Sequence, residues 1–170
     1  MLPTAAPGRR FEPGAVVVLV GPSASGKSTY AERFAPTARI CLDTLRGQVA
    51  DSEADQSATT VAAQIQDLLL DARLSRNLLT VVDATNLLPH VRAKILARAR
   101  AYRRPCVAVL FNGVDLAECE RRNAGRDRQV PTELLRWQHT LIPTVEQLLD
   151  EGFTEVLPAW EMAAAVAGGR

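Results

Sequence analysis

Lysine is nearly absent from this sequence. Of its 20 basic residues only Lys27 and Lys94 are lysines. Arginine suits forked recognition of phosphate, although such a skew also arises from compositional drift. A net charge of +1 excludes a whole-protein field, so a nucleic-acid site has to be a local patch. Cysteine is scarce as well. Cys41, Cys106 and Cys119 are odd in number, show no C-x-x-C or metal-ligand spacing, and read as reduced, mostly buried thiols. His90 and His139 have no partner pattern for a triad or a metal. No apolar run approaches membrane-spanning length, and no signal-peptide core follows Met1. These absences predict a soluble cytoplasmic protein without a membrane partner. What is present, 170 residues with 47% hydrophobic content, suits one domain with a real core.

The stretch that organises the chain is Gly21-Pro22-Ser23-Ala24-Ser25-Gly26-Lys27-Ser28, a G-x-x-x-x-G-K-S phosphate-binding loop. It follows the continuous apolar run Ala15–Val20, which reads as a strand buried on both faces. It precedes a predicted helix, Ser28–Phe34. Backbone N–H groups of Gly21, Ser23, Ala24, Ser25, Gly26, Lys27, Ser28 and Thr29 can curl around phosphate oxygens, with the helix N-terminus adding partial positive charge. Lys27 would reach the β and γ phosphates of ATP, and Ser28 would give its hydroxyl to Mg²⁺.

Downstream, the pattern predicts strands at 38–42, 78–82, 106–111 and 153–157. The intervening helices include one with Val61, Ile65, Leu68 and Leu69 as its core-facing stripe. Another starts at Pro89, with Val91, Ile95, Ala99 and Tyr102 on its apolar face and Arg92, Lys94, Arg98, Arg100, Arg103 and Arg104 read as a solvated basic surface. Asp115 and Glu118 read as a capping box. Pro131 starts a further helix that Pro143 interrupts, and Trp137 and Trp160 read as packing residues. Residues 1–14 are read as a flexible leader, 15–157 as the domain, and 158–170 as a tail. Alternation of strand and helix predicts an α/β fold, a doubly wound parallel five-stranded sheet.

In such sheets ligands sit beyond the carboxyl ends of the strands. That rule gathers Ser28, Asp43 and Asp83. Asp83 closes an apolar strand as a Mg²⁺-orienting carboxylate does, and a carboxylate capping the next helix is the plain alternative. Thr85 and Asn86 either cap that helix or touch the site. Asp43-Thr44-Leu45-Arg46 places a carboxylate where it can take the proton of an attacking hydroxyl and a guanidinium where it can grip an anionic acceptor. Away from a phosphate loop the pair would read as a helix cap with a solvated arginine. In Arg121–Arg128, Arg122 and Arg126 are four apart and share a face if helical, placed to neutralise charge on a transferred phosphoryl group. A solvated charge run is the alternative.

The loop and Thr29, Asp43-Thr44-Leu45-Arg46, the 51–56 loop, Val81-Val82-Asp83-Ala84-Thr85-Asn86, and Arg122-Asn123-x-x-Arg126-Asp127-Arg128-Gln129-Val130 together resemble the kinase domain of bacterial polynucleotide kinase-phosphatase. The resemblance runs from about Ala15 to Leu157. It implies ATP-dependent, Mg²⁺-dependent phosphorylation of 5′-hydroxyl RNA or DNA ends. By position it implies Lys27 and Ser28 at the phosphates and metal, and Asp43 as general base. Arg46 would sit on an acceptor phosphate, with Arg122 and Arg126 as clamps in a lid. Phosphatase and ligase-like segments have no counterpart here. A small-molecule or nucleoside kinase of the same fold is the alternative. A nucleotide-dependent switch or ATPase is a third reading, though the N-K-x-D motif of a GTPase is missing.

Overall fold

The computed structural model describes residues 11–159. Five parallel strands form one sheet in the order β2-β3-β1-β4-β5, with β1 Val16–Val20, β2 Arg39–Cys41, β3 Thr80–Asp83, β4 Cys106–Leu110 and β5 Glu155–Pro158. β1 is central because its five aliphatic residues tolerate burial on both faces. Alternate side chains along it feed two cores. Val16, Val18 and Val20 pack with Leu70, Leu74, Ile95 and Leu148 on one face. Val17 and Leu19 meet Tyr30, Val109 and Phe111 on the other. Register is in step across the centre, Val17 lying opposite Val81 and Val107, so the strands end together and their loops share one rim.

The helices are α1 Lys27–Ala31, α2 Leu42–Ala50, α3 Thr59–Leu74, α4 Pro89–Ala101, α5 Leu116–Ala124, α6 Thr132–Thr140 and α7 Val145–Glu151. The strand–helix alternation is as predicted, with shifted boundaries. β2 is only three residues, and α2 starts already at Leu42, so Asp43 falls in its first turn instead of at the end of the strand. α1 ends at Ala31, short of Phe34. Phe34 instead stacks at 5.8 Å on Phe11, within the stretch read as leader. Pro158, read as tail, completes β5 opposite Leu110. Residues 1–10 and 160–170, including Trp160, lie outside the described residues.

Four expectations are corrected. The buried face of α3 is Ala62, Gln66, Leu70 and Leu74. Val61, Leu68 and Leu69 are exposed, Leu68 at 70%, and Ile65 is half-buried. Arg92 is not solvated; at 2% exposure it is among the largest fully buried side chains. Its Nε donates to Glu151 Oε2 at 2.7 Å and its Nη1 to the Asn86 and Leu87 carbonyls, joining α4 to α7. Trp137 does not pack inside, being half exposed on α6. Glu118 closes only half of the expected box. Its N–H caps on Asp115 at 2.8 Å while its carboxylate turns to Arg121 and Arg122. The full capping box is at Thr144 and Gln147, opening α7 just beyond Pro143.

Candidate active site

The loop between β1 and α1 closes on itself. Gly21 N–H donates to Thr85 O at 3.0 Å, tying the loop to the segment after β3. A side chain at Gly21 would put its Cβ 2.6 Å from the Phe111 Cβ, so glycine is the residue that lets β1 and β4 close here. Gly26 sits at φ 101°, and a Cβ there would meet only Arg122 Nη1, at 3.9 Å. The loop therefore leaves an open cradle overhung by a guanidinium. α1 has five residues, so an anion in this cradle would be held by loop amides and Lys27 more than by a helix dipole.

Lys27 is buried, its ammonium donating to Pro22 O and lying 3.4 Å from Ser25 Oγ. Burial lowers it to about 8, ahead of the opposing pull of Asp83. Asp83, the last residue of β3, is also buried. Burial pushes its carboxyl above the usual range, against Lys27 and a hydrogen bond with the Ser28 side chain. Ser28 and Asp83 thus supply one hydroxyl and one carboxylate on one wall. Among the described residues no cluster of three or more acidic, His or Cys ligands exists. The pair fits a small hard cation that draws its other ligands from phosphate and water, as Mg²⁺ does.

Across from the loop, α2 presents Asp43 and Arg46. They are three apart on one helical face and form an ion pair. Arg46 is buried, and its Nε donates to Glu53 O at 2.9 Å. The other Asp43 oxygen accepts from Arg128 Nη1 at 3.1 Å. Arg128 belongs to the 125–130 segment between α5 and α6, and also lies 3.7 Å from Glu53 Oε2. On α5, Arg122 is held by Glu118 at 2.6 Å, and Arg121 and Arg122 hold that carboxyl down at about 2.

Ser23 through Thr29, Asp43, Arg46, Asp83, Arg122, Arg126 and Arg128 line one cleft of about 1130 Å³. Every residue predicted for the site faces it except Gly21, which shapes it from below. Sequence reasoning missed the specific place of Arg128 among its neighbouring arginines, and missed Gln138, whose Oε1 accepts from Ser23 N–H at 2.9 Å. Nothing in the order of residues marks either contact. Thr85 lines the cleft, whereas Asn86 is buried and donates to Leu19 O at 2.8 Å, tying β1 to the β3–α4 connection.

A family model described as an AAA domain matches residues 16–143, from the first residue of β1 to the end of α6 and just beyond. The chain belongs to that family. This AAA domain has the P-loop kinase fold, and three of the solved structures that resemble it show the range. Two are chains of Pnkp1/Rnl/Hen1 assemblies, one of them described as an RNA repair complex. They have TM-scores of 0.66 and 0.57 and identities of 21% and 22%, covering 85% and 72% of this chain. The AAA domain spans 47% and 43% of those chains. The third is a gluconokinase from Sinorhizobium meliloti 1021, with TM-score 0.55 and 22% identity, covering 94% of this chain and 93% of that one. At these identities the likeness is one of fold. No curated protein matches. No helix among the described residues is long and apolar enough to cross a membrane.

Proposed function

We propose that this AAA domain is a phosphotransferase that moves the γ-phosphate of ATP to a 5′-hydroxyl end of RNA or DNA. The observation that carries the reading is the Asp43 carboxylate, held by the buried Arg46 in the same cleft as Lys27 and the phosphate loop. A loop that only binds nucleotide needs no oriented carboxylate opposite it. An acceptor hydroxyl lying between Asp43 and the donor phosphate would give its proton to Asp43 as its oxygen attacks phosphorus, and the oxygen bridging to the β-phosphate would leave with its electron pair.

The supporting roles follow from position. Loop amides and Lys27 hold the β and γ phosphates; Lys27 leaves its Pro22 carbonyl to do so. Arg122 and Arg126 approach from the lid side and offset charge on the transferred group. Arg46 holds Asp43 in place and offers the acceptor side a guanidinium. Bound Mg²⁺ would polarise the phosphoryl oxygens, with Ser28 and Asp83 as its protein donors. Localised arginines are what a phosphate-bearing acceptor needs from a chain of net charge +1. Similarity to the RNA-repair assemblies supports that acceptor class and raises protein partners of a repair assembly as a further proposal.

The near full-length match to a gluconokinase favours a second reading, a small-molecule kinase on the same site. One assay separates them. Labelled γ-phosphate is offered with Mg²⁺ to 5′-hydroxyl RNA and DNA oligonucleotides, nucleoside 3′-phosphates, plain nucleosides and gluconate. Label on the oligonucleotides and 3′-phosphates supports an end kinase. Label on gluconate alone, or on no acceptor while ATP is hydrolysed, sinks it.

A further inference from the structure

We infer that Arg128 is the residue that makes the cleft selective for anionic acceptors, by an ion pair that the acceptor must exchange; this rests on the phosphotransferase reading above. As the cleft stands, both Asp43 oxygens are occupied, one by Arg46 and the other by Arg128. A general base needs one of them for the acceptor proton. The two contacts differ in kind. Arg46 is 7% exposed at its side chain and is also bonded to the Glu53 carbonyl within its own α2–α3 unit. Arg128 comes from a different part of the chain, 85 residues away, through one 3.1 Å bond to Asp43 and a looser 3.7 Å approach to Glu53, with more than a third of its side chain in solvent. Exposed pairs of this sort contribute little and break readily. Arg128 is the one that leaves.

Charge decides when it leaves. Asp43 and Glu53 are matched by Arg46 and Arg128, two carboxylates to two guanidiniums. A neutral alcohol gives Arg128 no new partner, so freeing Asp43 costs the pair outright. An acceptor with a phosphate next to its reacting hydroxyl supplies a stronger, bidentate partner. The guanidinium moves onto that phosphate, Asp43 is freed for the hydroxyl, and the 125–130 segment is drawn down over the acceptor. No covalent bond changes in this exchange. Arg128 is thus a specificity-determining residue, and discrimination comes chiefly from the phosphate contact it gains, the weak pair it gives up adding a smaller share.

The test compares wild type, Arg128→Ala and Arg128→Lys with a nucleoside 3′-phosphate and the matching plain nucleoside as acceptors. Wild type is expected to favour the 3′-phosphate. Arg128→Ala should cut that ratio of kcat/KM by about tenfold or more, through a higher KM for the phosphate and an unchanged or higher rate with the nucleoside. Arg128→Lys should restore part of the ratio. An unchanged ratio in Arg128→Ala overturns the inference. Amide hydrogen exchange across 125–130 in the substrate-free protein supplies a readout independent of turnover. Asp43→Asn and Arg128→Ala should each speed it by about threefold or more. If no nucleic-acid acceptor is labelled, the end-kinase reading fails and exchange alone judges the latch: faster exchange in both variants supports it, unchanged exchange overturns it.

Discussion

Lys27 and Asp83 share the floor of the cleft as a buried cation and a buried carboxylate, and burial pushes each toward its neutral form. Lys27 is held at about 8, and Asp83 is raised above the ordinary carboxylate range. Phosphate reverses the balance for Lys27 by favouring its charged form. Above pH 8 the free protein therefore carries fewer protons than its ATP complex, and ATP binding takes a proton up. Affinity should fall about tenfold per pH unit above pH 8 and level off below pH 7. Calorimetry in two buffers of different ionisation enthalpy reads the uptake directly. In the ligand-free protein the sign is opposite. The unfolded chain, with Lys27 near 10.5, binds the proton more tightly, so stability rises as pH climbs from 8 toward 10.5. Affinity that stays flat from pH 7.5 to about 9.5 would show that Lys27 is not the phosphate ligand.

Asp43 faces the cleft from α2 and is bonded to Arg46 and Arg128, so its removal should separate chemistry from donor binding. Asp43→Ala is expected to lower kcat by about 10²- to 10⁴-fold. ATP affinity should change little. Single-turnover transfer and equilibrium ATP binding, measured on the same preparation, check both halves. Retained turnover would remove Asp43 from the base role. A large loss of ATP affinity would place it on the donor side.

How far these features were legible in the sequence follows from how local each one is. The phosphate loop is contiguous, so its residues specify their own geometry. Asp43 and Asp83 are distant in sequence, yet parallel strands in register bring strand ends to one rim, which made their convergence readable. The buried face of α3 was not readable, because Leu68, Leu69 and Leu70 are consecutive and apolar residues ring the helix. Only the sheet decides that Leu70 turns inward and Leu68 outward. Arg92 was misread because its partner Glu151 lies 59 residues away and no local pattern links them. Arg128 was one arginine among several until the fold placed it beside Asp43.

The α3 correction carries a stability prediction. Leu70 is fully buried and Leu68 is 70% exposed. Leu70→Ala should cost about 2–5 kcal/mol, and Leu68→Gln should change stability by less than about 0.5 kcal/mol. Urea denaturation of the two variants compares them directly. Equal losses would contradict this assignment of faces, and a larger loss at Leu68 would mean that α3 presents the opposite one.

The buried Arg92 makes a sharper demand. It was expected in solvent, where an alanine would cost almost nothing. In the fold its guanidinium satisfies Glu151 and two carbonyls at the start of α4, at 2.7–2.9 Å. Arg92→Ala leaves a partly buried carboxylate and two inward-facing carbonyls without donors, and should cost about 3–5 kcal/mol. Arg92→Met keeps much of the volume but none of the donors, so it should remain strongly destabilised. Adding Glu151→Gln to Arg92→Met removes the stranded charge and should recover part of that loss. If Arg92→Met were as stable as wild type, the side chain would be serving only as packing. If Glu151→Gln gave no recovery in the double variant, the two residues would not be coupled.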